Sequence, residues 1–150
     1  MLRQVLLFLH FASAMVWVGG MVFAYFCLRP AAVQVLEPPQ RLTLWSRTFG
    51  RFFPLVGVAV ALILLSGFTL LLQVGFAAAP VGWHIMMTLG LLMSGVYAYI
   101  VLVPYTALQR YCEAAAWPAA AASLNRIRQL VAVNLVLAAF TIVAAVAAAG

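Results

Sequence analysis

Four stretches of mostly apolar residues, roughly 4–28, 53–74, 82–104 and 129–149, take up most of this 150-residue chain. Each is long enough to cross about 30 Å of hydrocarbon at a rise of about 1.5 Å per residue. Hydrocarbon offers no hydrogen-bond partners, so the backbone N–H and C=O groups of each stretch must be satisfied within it, which requires helices. The fold class that follows is all-α, an integral membrane four-helix bundle forming a single transmembrane domain. Proline placement agrees. Pro30 follows the first stretch, Pro54 opens the second, Pro80 precedes the third and Pro104 ends it, all positions where a missing N–H does little harm.

The charge supply excludes a soluble domain. Hydrophobic residues make up 68% of the chain and charged residues 7%, and mean hydropathy is +1.17. So few charged groups could not cover a water-facing surface, and the lipid bilayer serves as the principal partner. A net charge of +6 in a soluble protein would suggest nucleic acid. Here the arginines flank apolar spans, so topology explains them and no nucleic-acid partner is expected.

Arg29, Arg41, Arg47 and Arg51 lie in the connection after the first span, and Arg110, Arg126 and Arg128 in the one after the third. The 75–81 connection, GFAAAPV, carries no charge. The positive-inside rule therefore puts both long loops in the cytoplasm and both termini on the periplasmic side of a bacterial inner membrane, with Arg3 the exception. The N-terminal apolar run exceeds a signal-peptide core and reads as a retained first span. Cys27 and Cys112 are too few for a disulfide framework and read as free thiols. Within RLTLWSRTFGRFF, Leu42, Trp45, Phe49 and Phe52 recur at helical spacing with Arg47 and Arg51 opposite. That pattern predicts an amphipathic helix over about 41–52, lying at the lipid interface.

The chain has two histidines, His10 and His84, and both fall in apolar spans. With spans 1 and 3 running in the same direction, His10 about two turns into one and His84 in the first turn of the other share the outer leaflet, where adjacent helices would bring them together. Each heads a stripe of small and weakly polar residues. Ser13, Ala14, Trp17, Gly20 and Met21 follow His10, and Thr88, Leu91 and Gly95 follow His84, as at helix interfaces in membranes. A histidine near a helix end is often interfacial or merely hydrogen-bonded. Ionisable groups inside a membrane are nevertheless costly and usually functional.

Two chemistries suit a pair of imidazoles here. Haem b takes neutral imidazoles as axial ligands inside a four-helix bundle, with iron bound by His10 and His84. Ser13, Trp17, Gly20 and Thr88 then line the cofactor, and Arg3 faces its propionates. Copper is the alternative, using His10, His84 and the thioether of Met87, which lies about 300° round the helix from His84 and so near its face. Core packing is the plain alternative for Met15, Met21, Met86 and Met87. Zinc hydrolysis lacks a third good ligand and a carboxylate base. Small-residue faces are compatible with a homo-oligomer, and a haem protein would call for a redox partner protein or a quinone.

The stretch LHFASAMVWVGGMVFAYFCLRP, with His10, Trp17 and Gly19–Gly20 in this order, resembles the first helix of the copper-resistance protein D (CopD-like) family. RFFPLVGVAVALILLSGFTLL and LNRIRQLVAVNLVLAAFTIVAA resemble later helices of that family. WHIMMTLGLLMSGVYAYI, with Trp83 and His84, is similar to the third span of HemJ-type protoporphyrinogen oxidases. The first resemblance implies copper handling across the inner membrane. The second implies haem b and an oxidoreductase acting on a porphyrinogen. Met86 stands where the HemJ-type motif has lysine, and Asn134 where CopD-like chains carry an acid.

Overall fold

The computed structural model describes residues 1–149 and consists of four long helical rods. They are α1 (Leu2–Val35), α2 (Pro38–Val74), α3 (Val81–Glu113) and α4 (Trp117–Ala149), each apolar enough to cross a membrane. No strand occurs among the described residues. The fold is the expected four-helix membrane bundle. Its outer surface is apolar, with Phe8, Phe11, Leu65, Leu102 and Phe140 all exposed, as suits a chain solvated by acyl chains.

The rods are longer than the apolar stretches. At 1.5 Å per residue, the 37 residues of α2 extend roughly 55 Å against about 30 Å of hydrocarbon. The excess lies at the end carrying most of the arginines, called the arginine end below; the opposite end carries His10 and His84. Two prolines expected to mark boundaries sit inside the rods instead. Pro104 lies in a π-helical segment, Val101–Tyr105, and Pro30 comes two residues after the end of another, Phe23–Leu28. A proline leaves the carbonyl four residues back without a donor and crowds it. Widening the turn by one residue absorbs both effects, so the helices continue rather than stop. Pro54 is likewise internal to α2. Pro80 does cap α3 as expected. The tight 75–80 turn begins at Gly75, where φ is +90° and the amide bonds Leu71 O at 3.0 Å.

The segment expected to lie in the lipid interface belongs to the core. Residues 41–52 form the start of α2 in one unbroken helix with the following span. Leu42, Trp45 and Phe49 are buried, at 2%, 4% and 5% exposure, in a cluster with Tyr105, Leu108, Ala120 and Ile127. Phe49 and Phe53 stack at 4.7 Å, and Tyr105 meets Phe53 edge-on at 5.0 Å. The amphipathic periodicity is present and Arg47 and Arg51 are exposed on its far side. Helices α3 and α4 also run past the bilayer, however, and they cover the apolar stripe before lipid can.

The packing order decides which side chains meet. Helix α1 packs along α2 and α3 along α4, and α2 and α4 also touch. No Cα of Leu2–Val22 comes within 8 Å of one in Val81–Ile100. Thus α2 and α4 form the short diagonal of the bundle, and α1 and α3 stand at opposite corners.

Candidate functional site

His10 faces α2. Its Nδ1 lies 3.0 Å from Ser66 Oγ, and its Cε1 lies 3.2 Å from the position a Cβ would occupy at Gly67. Ser66 is buried, and its hydroxyl donates back to Leu62 O. A serine hydroxyl has one proton. With that proton committed to the carbonyl, Oγ accepts from His10 Nδ1–H, and Nε2 keeps a free lone pair. A ring nitrogen held by a hydrogen bond while its partner stays bare is the arrangement that orients metal-binding imidazoles. Glycine at 67 eases this approach, since with a methyl there the ring would have to give by a few tenths of an ångström.

His84 sits on α3 at the same end, half-buried, with its ring 5.2 Å from that of Phe76 in the preceding turn. The expectation that adjacent helices bring the two histidines together is not met, because α1 and α3 are at opposite corners. Thr88, Leu91 and Gly95, expected on an interface stripe below His84, are all exposed; spacing shows which residues share a face, but not what that face meets. The α3 stretch from Val81 to Leu92 contains no buried residue. Thr88 is exposed and donates to His84 O at 3.0 Å. Arg3 is exposed at the N-terminal end of α1, and Met87 is half-buried.

The remaining residues of the His10 stripe run into the middle of the bundle. Ser13 is buried, and Trp17 and Met21 are 4% and 3% exposed. They meet Val56, Ala59, Val60, Met93 and Ala138 in one cluster to which all four helices contribute. Side chains bridge the long diagonal here, with Trp17 edge-on to Tyr97 at 6.3 Å. Tyr97 in turn donates to Phe53 O at 2.6 Å, reaching it over Gly57. Gly20 is used differently from the expectation of a ligand-lining glycine. The Phe52 ring fills its missing Cβ position, which locks α1 to α2.

Sequence reasoning did not single out Met93 or Ser66, and it treated Asn134 only as a departure from a family pattern. Asn134 is 1% exposed, donates through Nδ2 to Met93 O at 3.2 Å, and leaves Oδ1 without a partner. An unsatisfied buried acceptor costs about 1–3 kcal/mol, so the centre of the bundle holds an unmet polar demand; the Met93 thioether itself accepts from Thr141 Oγ1 at 3.9 Å. Polar residues inside apolar spans were the signal that could have found both Ser66 and Asn134. Among the described residues no three His, Cys, Asp or Glu side chains cluster as a metal site. Cys27 and Cys112 are free thiols, as expected.

Residues 46–148 match the family model described as copper resistance protein D. The match takes in α3 and α4 with most of α2, including His84, Met93 and Asn134, and leaves out His10. No curated protein and no solved structure matches the chain.

Proposed function

The chain belongs to the copper resistance protein D family, and from that premise we propose that it binds or passes copper through the membrane as Cu(I). The carrying observation is the inner stripe of α1, where Ser66 holds His10 through Nδ1 and Met21 is buried in one cluster with Met93. Imidazole and thioether are the neutral, soft donors that suit Cu(I) and tolerate burial without a charge penalty. His10 and Met21 are eleven residues apart, about three turns, so they point the same way about 16 Å apart in depth. In this reading His10 receives the ion near one face, and Met21 and Met93 hold it midway. Asn134 Oδ1 supplies a polar acceptor at the same level. The copper donor moves from Met87, which lies outside the core clusters, to these two buried methionines.

The arginine distribution supports an inner-membrane orientation with the arginine end in the cytoplasm and the histidine end outside. Cys27 and Cys112 are both near the arginine end, so impermeant thiol reagents should label neither in intact cells. Labelling of either from outside would reverse the direction of the proposed path.

A second reading is haem b ligated by His10 and His84, for electron transfer to a redox partner or quinone. It draws on the His10 ring held through Nδ1 by Ser66 and on the unburied half of α3 around His84. Haem supplies one-electron redox chemistry when bound. His10 and His84 would hold the iron, Arg3 would offset the propionates, and Ser66 would fix the His10 ring. One experiment separates the readings. Purified protein should bind Cu(I) in competition with a chromophoric chelator, and M21L/M93L should lose that binding. A Soret band in the wild type that disappears in H10A and H84A, with no copper by elemental analysis, would give the second reading the site.

A further inference from the structure

We propose that the arginine end carries a dedicated binding site for the phosphate headgroup of an anionic phospholipid. A cavity of about 450 Å³ opens there between α1, the start of α2 and the start of α4. Arg29, Arg41 and Arg128 line it. These three are half-buried, whereas Arg3, Arg47, Arg51, Arg110 and Arg126 are all exposed. The half-buried arginines of the chain thus all line one cavity, although they come from three different helices.

Neither Glu37 nor Glu113 lines the cavity; both are exposed, and Glu37 precedes the rim residue Pro38. Gathering three cations without a lining anion is unfavourable unless an anion completes the site. Arginine presents planar, paired N–H donors that match phosphate oxygens. Arg29 is already held over the Tyr25 ring, 5.8 Å from its centroid. The cavity floor is apolar, with buried Trp45 and Phe49 and half-buried Trp117. A free phosphate would leave that floor wetted, whereas a lipid places glycerol and the start of its acyl chains there. Depth agrees as well. Arg29 follows the apolar part of α1 and Arg128 precedes that of α4, which puts both at the headgroup level.

The test compares two triple variants that remove the same charge. Purified full-length protein is titrated with phosphatidylglycerol or phosphatidylcholine and read by native mass spectrometry. Wild type should prefer phosphatidylglycerol by about tenfold or more, as expected for several basic groups acting on one headgroup. R29Q/R41Q/R128Q should lose that preference, and R47Q/R51Q/R126Q should keep it. Equal loss in both would overturn the proposal in favour of general surface charge. Full displacement of the lipid by millimolar glycerol phosphate would overturn it in favour of a soluble phosphate ligand. R128Q alone, the mildest change, should weaken the preference severalfold where the triple variant does not fold, and an unchanged preference in R128Q would count as failure.

Discussion

The arginine end and the histidine end of this bundle are built on different principles. At the arginine end, where the rods outrun the bilayer, Leu42, Trp45, Phe49, Phe53, Leu108 and Ile127 form a buried aromatic and aliphatic core. At the histidine end burial is sparse: Ser13, Ser66, Leu70, Leu71 and Ala144 are buried, and α3 contributes nothing from Val81 to Leu92. Water drives apolar side chains together, whereas lipid tails solvate them as well as other protein does. Packing therefore accumulates where the rods emerge. Beyond the mid-bundle cluster around Trp17, Met21 and Met93, the histidine end is held by small-residue contacts and by hydrogen bonds between helices such as His10–Ser66.

The largest expected effect tests that asymmetry within one helix. Leu108→Ala, at a position with 0% exposure, should cost about 2–5 kcal/mol, read by thermal unfolding in detergent. Ile85→Ala, on the lipid-facing half of the same helix, should cost under about 1 kcal/mol. Similar costs for the two would remove the distinction between the ends.

Next in size is Gly57→Ala. A methyl there would come within 2.9 Å of the Tyr97 hydroxyl and press it off Phe53 O. The crowding should cost about 1–3 kcal/mol. Adding Tyr97→Phe, which deletes the obstructed oxygen, should make the pair cost less than the sum of the two. Strict additivity would mean that the hydroxyl has another role.

Ser66→Ala should lower stability by only about 1 kcal/mol. Its larger effect should fall on affinity, about 10–100-fold, because the imidazole loses the hydrogen bond that orients it. A change in stability with no change in metal or haem binding would make His10 a structural residue and leave the histidine end without a site. Met87→Leu should do least, within about 0.5 kcal/mol and with no loss of bound copper or haem. Loss of copper in this variant would return the donor role from Met21 and Met93 to Met87.

Much of this was legible in the residues. The four spans could be read because no soluble structure satisfies such long apolar runs. The stripe of residues following His10 could be read because helical periodicity is a local property. The amphipathic face of 41–52 was equally legible as a face, yet its partner was not. Lipid and a neighbouring helix look identical to an apolar stripe, and only the overhang of α3 and α4 decides between them.

The sequence by itself determined helix number, the inward facing of the stripe that follows His10 and the gathering of arginines at one end, because these follow from hydropathy, the 3.6-residue turn and charge placement. Only the tertiary structure decided that α2 and α4 form the short diagonal. That arrangement separates the α1 and α3 backbones that carry His10 and His84, gives His10 to Ser66, and gathers Met21, Met93 and Asn134 at mid-bundle. The reason is that helix order along a chain fixes neither handedness nor diagonal. What the close fits do set is the α1–α2 and α3–α4 seams, through Phe52 over Gly20 and Ala144 and Ala148 against Gly82.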